Sequence, residues 1–471
     1  MLQIDRRIKY LLAGLACFYC LFWAVKNFLN IFRPALRASL PLPEITGGPE
    51  PYCASGECRE GGEAFFDFTF NTSPANAEFS ITYHDGLQKT GIAPFREALP
   101  PGRIRLDIKY PGYETLSETL TLREATQKFY HLDRSGQMVH HLLDIESVPS
   151  PKALAFSVNG SELWSTMLLN KKRGLGVYSS ADGTHIADID LDGGGGVELV
   201  FSNDGSRVYA SQMETARIYE IDASSKTVLR TFDAQSTWTK VVALSLDGKY
   251  LYAANWSGND VSIIDLANGA VAKFATVKTP RGLYATSDAK SLYVAGFASG
   301  ELEKIDLGSK TGAVIYRTGG AMRHIAADEQ KGVLYVSDMA KDAIYEVDLK
   351  TDSVKKFADT DHNPNTIALS PDKKILFVSC RGRNAADDDY SVPGPEWGSV
   401  LMFDTENSKM IDAIVAGNQP TALSISPDGS KLAFSDFLDS RIEIFSVPPY
   451  EKLISGNGGR SAVYRQELIK K

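Results

Sequence analysis

The stretch PTALSISPDGSKLAFSDF (Pro420–Phe437) writes a short alternating strand, a Pro-Asp-Gly turn and a second short strand, and KVVALSLDGKYLYAANW (Lys240–Trp256) writes nearly the same thing. The pattern returns as KALAFSVNGSELWST, VELVFSNDGSRVYAS, RGLYATSDAKSLYVA, RHIAADEQKGVLYVS and NTIALSPDKKILFVS. Alternation with a period of two marks strands with unlike faces, and Asp-Gly or Asn-Gly at the bend suits the backbone of tight hairpins. A third strand usually follows (IYEIDA, VSIIDL, LEKIDL, IYEVDL, VLMFDT), then a fourth after a polar turn (TVLRTFDA, AVAKFATV, SVKKFADT, KMIDAIVA).

Taking Lys152, Val197, Lys240, Arg281, Arg323, Asn365 and Thr421 as equivalent leading positions gives spacings of 45, 43, 41, 42, 42 and 56. Four strands per unit at a period near 40 predict blades around an axis, the plan of a β-propeller. The seventh unit lacks its fourth strand and runs after RIEIFSV into PPYEKL and a polar tail. The missing piece stands ahead of the first unit, where MVHHLLDIESVPSPKALAFS (Met138–Ser157) aligns with SKMIDAIVAGNQPTALSIS (Ser408–Ser426). Val139–Glu146 is therefore expected to close the last blade, because an open ring leaves two unpaired edges. The expected fold is all-β: a seven-bladed β-propeller over 138–447, its N-terminal strand closing the last blade, with a C-terminal tail at 448–471.

The stretches DGKYLYAANWSGNDVSIIDLANGAVAKFATVKTPRGL and SPDKKILFVS resemble the YVTN-type seven-bladed propellers, whose second-strand phrase reads YAAN or FVSC in this chain. The resemblance covers Met138–Val447 and implies the wheel. It leaves function open, since such wheels serve as binding platforms, surface proteins, DNA binders and a few enzymes. The Gly-His and Trp-Asp dipeptides of WD-repeat propellers are missing.

Ahead of the repeats, EFSITY and RIRLDIKY alternate between turns at SPAN, HDG and PPG, which predicts a small β-sandwich-like domain over 64–134. SPANAEF, TGIAP, LPPGRIRLDI and YPGYETL resemble the PEGA domain, a compact β module often found outside the cytoplasm. Its signature is present only as PPGR, without the central acidic residue. The resemblance implies a spacer or adhesion-like module rather than an active site.

Residues 1–33 open with the basic head MLQIDRRIK and continue as YLLAGLACFYCLFWAV without a charge. With Lys26 snorkelling, Tyr10–Phe32 is long enough for one transmembrane signal-anchor helix. No clean small-x-small cleavage site follows it. The expected topology is single-pass, N-terminus cytoplasmic, body in the periplasm or on the surface of a prokaryotic cell. A Pro/Gly-rich linker follows at 34–63, and within it Cys53 and Cys58 are candidates for a disulfide outside the cytoplasm. No C-x-x-C-H motif for covalent haem is present.

Fifty Lys and Arg against 58 Asp and Glu leave a net charge of −8, which together with the anchor argues against a nucleic-acid partner. The leading positions run against that balance: Lys152, Lys240, Arg281 and Arg323 are basic, at the mouth where the inner strands begin. Directly after the second strands stand Leu168, Met213, Trp256, Phe297, Met339, Arg381 and Phe437, either an exposed apolar collar or a seal between blades. In the sixth unit RGRNAADDDYSVPGPEWGS (Arg381–Ser399) adds fourteen residues, bringing Arg383, Tyr390 and Trp397 to the same face. His324 and His362, from neighbouring units, are placed to meet, but no third metal ligand and no nucleophile–base–orienter set is visible. The third-strand acids and Gly193–Gly196 read as turn and loop residues.

The expected function is therefore a membrane-tethered module that binds a protein or peptide partner through its mouth, with no catalytic residue, metal or cofactor assigned. A propeller hydrolase or lactonase using Arg281, Arg323, His324 and His362, and a nucleic-acid-binding wheel, are the alternatives.

Overall fold

The computed structural model describes residues 65–146, 148–169, 174–456 and 463–470. The expected anchor, the linker and the Cys53/Cys58 pair lie outside the described residues. Among the described residues no helix is long and apolar enough to cross a membrane.

The small N-terminal domain follows its alternation. Phe66–Ser73 lies between Phe95–Leu99 and Thr126–His131 in a three-stranded sheet, while Glu78–Tyr83, Gln88–Ile92, Gly102–Lys109 and Leu116–Leu122 make a four-stranded one. EFSITY buries Phe79, Ile81 and Tyr83, and GRIRLDIK buries Ile104, Leu106 and Ile108, every second residue in each case. Phe70 from the first sheet meets Phe79 of the second edge-on at 5.2 Å and stacks on Phe95 at 5.4 Å. Such ring pairs contribute roughly 0.5–1.5 kcal/mol beyond their buried area, which helps a domain of this size hold together.

From Pro151 the chain builds seven four-stranded antiparallel sheets, numbered here 1 to 7 in chain order. Their inner strands are Pro151–Phe156, Glu198–Phe201, Thr239–Leu244, Pro280–Ala285, Met322–Asp328, Pro364–Leu369 and Pro420–Ile425. Each inner strand lies against the next, and that of sheet 7 lies against that of sheet 1, so the arrangement is propeller-like. The outer strand of sheet 7 is His140–Ile145, which pairs with Arg441–Ser446 in the register Ile145↔Ile442, Asp144↔Glu443 and Leu143↔Ile444.

Apolar clusters between consecutive sheets hold the stack together. Tyr335, Ile344 and Phe357 of sheet 5 pack on Val378, Leu401 and Phe403 of sheet 6, while Ile145, Ala433 and Ile442 of sheet 7 meet Leu163 and Met167 of sheet 1. Each large apolar side chain buried this way contributes roughly 1.5–3 kcal/mol.

The inner hairpins show why Asp-Gly recurs. The residue that closes each turn has positive φ: Gly160, Gly205, Gly248, Gly332 and Gly429 in five sheets, Ala289 (φ 55) and Lys373 (φ 62) in the other two. Gly193–Gly196, by contrast, is no loose loop. A Cβ on Gly195 would stand 1.9 Å from the Leu168 carbonyl oxygen, so backbone packs directly on backbone there.

The polar tail expected after Val447 is packed as well. Tyr450–Ser455 is a short helix that buries Leu453, and Tyr464 and Leu468 enter the apolar cluster of sheets 5 and 6. Tyr464 Oη donates to Asp361 at 2.7 Å, and Arg465 Nε pairs with the same carboxylate at 3.2 Å.

Candidate functional site

A β-bulge positions the leading residue in six of the seven sheets. In sheets 3 and 4 one residue, Lys240 or Arg281, is extra between two rungs of the ladder. In sheets 1, 5, 6 and 7 two residues face one: Lys152–Ala153, Arg323–His324, Asn365–Thr366 and Thr421–Ala422. A bulge bends its strand and re-aims a side chain, and the basic leading residues Lys152, Lys240, Arg281 and Arg323 lie close enough to act on one another.

The N–H groups that the bulges take off the ladder need another acceptor. A second-strand hydroxyl supplies it: Thr166 accepts from Ala153 N–H, Ser337 from His324, Ser379 from Thr366 and Ser435 from Ala422. The same hydroxyls, and Ser211 at the matching place in sheet 2, reach the next sheet. Thr166 donates to Val197 O, Ser211 to Lys240 O, Ser337 to Asn365 O and Ser379 to Thr421 O, while Ser435 donates to Pro151 O at 3.0 Å across the junction of sheets 7 and 1.

Sheet 2 has no bulge. Val197 is therefore buried rather than presented at the mouth, and Glu198 lines the cavity in its place. Arg281, Arg323 and Lys152 act on that carboxylate, with Lys240 and Arg381 beyond them beside Arg281, and none of the five forms an ion pair among the described residues. A cavity of about 320 Å³ adjoins them, with Lys152, Glu198, His324, Thr366 and Ser424 as its polar walls and Leu154 and Ile367 among its apolar ones.

Electrostatics in this shaft are adverse to the cations. Burial, then Arg281 and Arg323, push the Lys240 ammonium down to about 6. Lys152 is displaced well below the usual lysine range by burial first, then by Arg323 and Arg381. Arg381 is lowered to about 10 by burial, and Arg323 falls well below its ordinary value through burial and its neighbours Arg281 and Arg381. His324 is held near 3 by burial and the two arginines, so it is neutral at neutral pH. Burial also raises Glu198, against the pull of Arg281. Several buried polar atoms have no hydrogen-bond partner: Arg281 Nη1, Arg381 Nε, His324 Nδ1, Gln419 Nε2 and both amide atoms of Asn365.

The apolar column lies beneath and beside these cations instead of forming an open collar. Met339 and Phe437 are buried, and Trp256 and Phe297 are half-buried with ring centres 4.9 Å apart. Lys240 Nζ sits 3.6 Å from the centre of the Trp256 ring and 5.7 Å from that of Trp238, and Lys152 Nζ lies 5.1 Å from that of Phe437. An aromatic face attracts a cation that has lost its water.

The insert of sheet 6 stands beside this mouth. Arg381 is buried at its root, donates through Nη2 to Gln419 Oε1, and lies 5.6 Å from the centre of the Tyr390 ring. Arg383 and His362 both bind Glu396, at 3.1 and 3.0 Å, and Arg383 Nε donates to His362 Nε2 at 3.3 Å. His362 is thus taken up at the base of the insert while His324 stands in the cavity wall, and the two turn to different partners. Trp397 N–H donates to Leu468 O at 2.7 Å, and Lys470 Nζ lies 4.4 Å from the centre of the Trp397 ring, so the C-terminal strap clamps the insert. Tyr390 remains 61% exposed and Val392 43%. Asp389, of the acidic run, bonds Ser391.

Three neighbours of the mouth escape sequence reasoning: Glu198, Gln419 and Trp238. Glu198 is hidden by the missing bulge, which shifts its sheet by one residue. Gln419 precedes its strand and carries no charge to attract notice. Trp238 stands two positions before Lys240, a signal that could have been read.

Residues 67–135 match the PEGA domain. The chain carries a PEGA domain. The match spans nearly all of the two small sheets described above. Beyond the PEGA domain, antigen Lp49 of Leptospira interrogans is 29% identical over 353 residues, which cover 73% of this chain and 77% of that protein. Autophagy-related protein 18 of Emericella nidulans is 30% identical over 126 residues, 24% of this chain and 29% of that protein. Among solved structures, Kuenenia stuttgartiensis hydrazine synthase superposes with a TM-score of 0.54 at 15% identity, covering 64% of this chain and 96% of the matched one. At that identity the likeness is one of fold.

Proposed function

We propose that the chain is an extracytoplasmic seven-bladed β-propeller, tethered through its N-terminal segment, that binds a protein partner at the channel mouth. One observation carries this reading: an insert with exposed Tyr390 and Val392 is clamped by the C-terminal strap directly beside a ring of unpaired cations. Rigid aromatic anchors next to complementary charge are what protein interfaces use for affinity and orientation. The PEGA domain and the likeness to an antigen support a surface location for the wheel.

The test is proximity crosslinking of the full-length chain in its own cells, compared with a Tyr390→Ala/Val392→Ser double variant. Both side chains are exposed, so the variant keeps the fold. Its crosslinked partner should fall at least tenfold in yield. A partner set that does not change removes the insert from the interface.

A further inference from the structure

We propose that the buried basic cluster of Lys152, Arg281, Arg323 and Arg381 binds a compact oxyanion, a cluster of carboxylates or a phosphate, through guanidinium N–H groups that lack acceptors within the protein. This deepens the binding reading of the mouth and rests on it.

Four observations converge. Arg281, Arg323 and Arg381 are each less than a tenth exposed, yet none is paired with a carboxylate. A buried guanidinium without a counterion is unfavourable, and removing several at once from water demands something that neutralises them. Arg281 Nη1 and Arg381 Nε have no hydrogen-bond partner, and neither does the amide of the fully buried Asn365 at the same level of the ring. Such donors match the forked geometry with which arginine grips carboxylate and phosphate oxygens. The adjoining cavity, about 320 Å³, is walled by Lys152 of this cluster together with Glu198 and His324, and stands at the small end of the range for ligand sites, roughly 300–1,000 Å³, which suits a compact anion rather than an extended polymer.

The remaining walls narrow the chemistry further. Glu198 is the carboxylate facing the cations, so the ligand brings more than one negative charge to reverse the local imbalance. Trp238 and Trp256 flank Lys240 at the mouth, giving an apolar shoulder to whatever carries the charge. The net charge of −8 repels long polyanions from the rest of the surface and leaves the mouth as a local focus. The oxyanion comes from one of two sources: a free small molecule, or an acidic segment of the docked partner.

The test uses the purified full-length chain at low ionic strength, with citrate, inorganic phosphate and a hexaglutamate peptide as probes in calorimetry and thermal shift. Arg323→Gln and Lys152→Met are the variants. At least one probe should bind the wild type with one-to-one stoichiometry, and each variant should lose tenfold or more in affinity. Both variants, freed of a buried basic group without a counterion, should keep or raise the Tm measured without ligand, the reverse of what a structural role gives. Binding of citrate or phosphate alone assigns a free ligand; binding of hexaglutamate alone assigns the partner's acidic segment. Failure of all three probes, equal binding by wild type and variants, or a fall in Tm of both unliganded variants overturns the pocket. If the probes fail while the Tyr390→Ala/Val392→Ser variant still loses its partner, the docking reading stands without the pocket; the opposite pair of results leaves the pocket standing alone.

Discussion

Lys240 is the residue at which burial and like charge act in the same direction. Its ammonium is lowered from 10.5 to about 6, facing Arg281 and Arg323 across the shaft and the rings of Trp256 and Trp238 at its side. Between those two values the unfolded chain holds a proton that the folded chain has given up. Stability therefore rises with pH across that window. Urea midpoints taken at pH 7 and pH 9 should show this rise for the wild type, and Lys240→Met should flatten it. The basic column itself was legible, because Lys or Arg stands at the leading place in four of the seven repeats. For the aromatic column the sequence left exposure and burial open, because the choice depends on which side chains of the neighbouring sheet lean over it. Glu198 was unreadable for a simpler reason: its strand lacks the bulge that every other repeat has, and an alignment by spacing points to Val197 instead.

At the scale of single elements, the second-strand hydroxyl is the part that makes a bulged strand affordable. Ser435 is fully buried, accepts from Ala422 N–H and donates to Pro151 O, so Ser435→Ala leaves two backbone groups without partners. The expected cost is about 1–3 kcal/mol, read as a lower denaturant midpoint. The inner turns offer a change of opposite sign. Lys373 holds φ 62 where five other sheets place glycine, and Lys373→Gly should add about 0.5–1 kcal/mol by relieving that strain, less the extra freedom of the unfolded chain. The aspartates of these turns, Asp204, Asp247 and Asp428, are held at about 2 by Ser hydroxyls and backbone N–H groups. Their contribution is present above the usual carboxylate range and is lost as pH falls towards 2, so acid unfolding is expected between about pH 4 and pH 2. Strands, turns and the outer strand drawn from ahead of the first repeat could all be read from alternation and turn chemistry. The bulges could not, because one extra residue leaves the hydrophobic pattern intact while it turns the side chain.

For the molecule as a whole, the C-terminal strap ties the most exposed insert to the sheets beneath it. Tyr464 is buried to 1% exposure, bonds Asp361 and belongs to the apolar cluster of sheets 5 and 6. Tyr464→Ala should cost about 3–5 kcal/mol, and limited proteolysis should then cut within Asn384–Glu396, which the wild type protects. A polar tail gave no hint of this in the sequence, since one Tyr and one Leu among charges form no period. The pairing of His140–Ile145 with Arg441–Ser446 has a further bearing, on biogenesis. The earlier strand is synthesised about 300 residues before its mate, so each growing chain carries two unsealed borders until its last repeat emerges. Another copy at the same stage offers an equivalent border, and strand exchange between copies becomes the characteristic assembly error of this architecture. Such an error is second order in protein, so dilution during refolding suppresses it while leaving the productive route untouched.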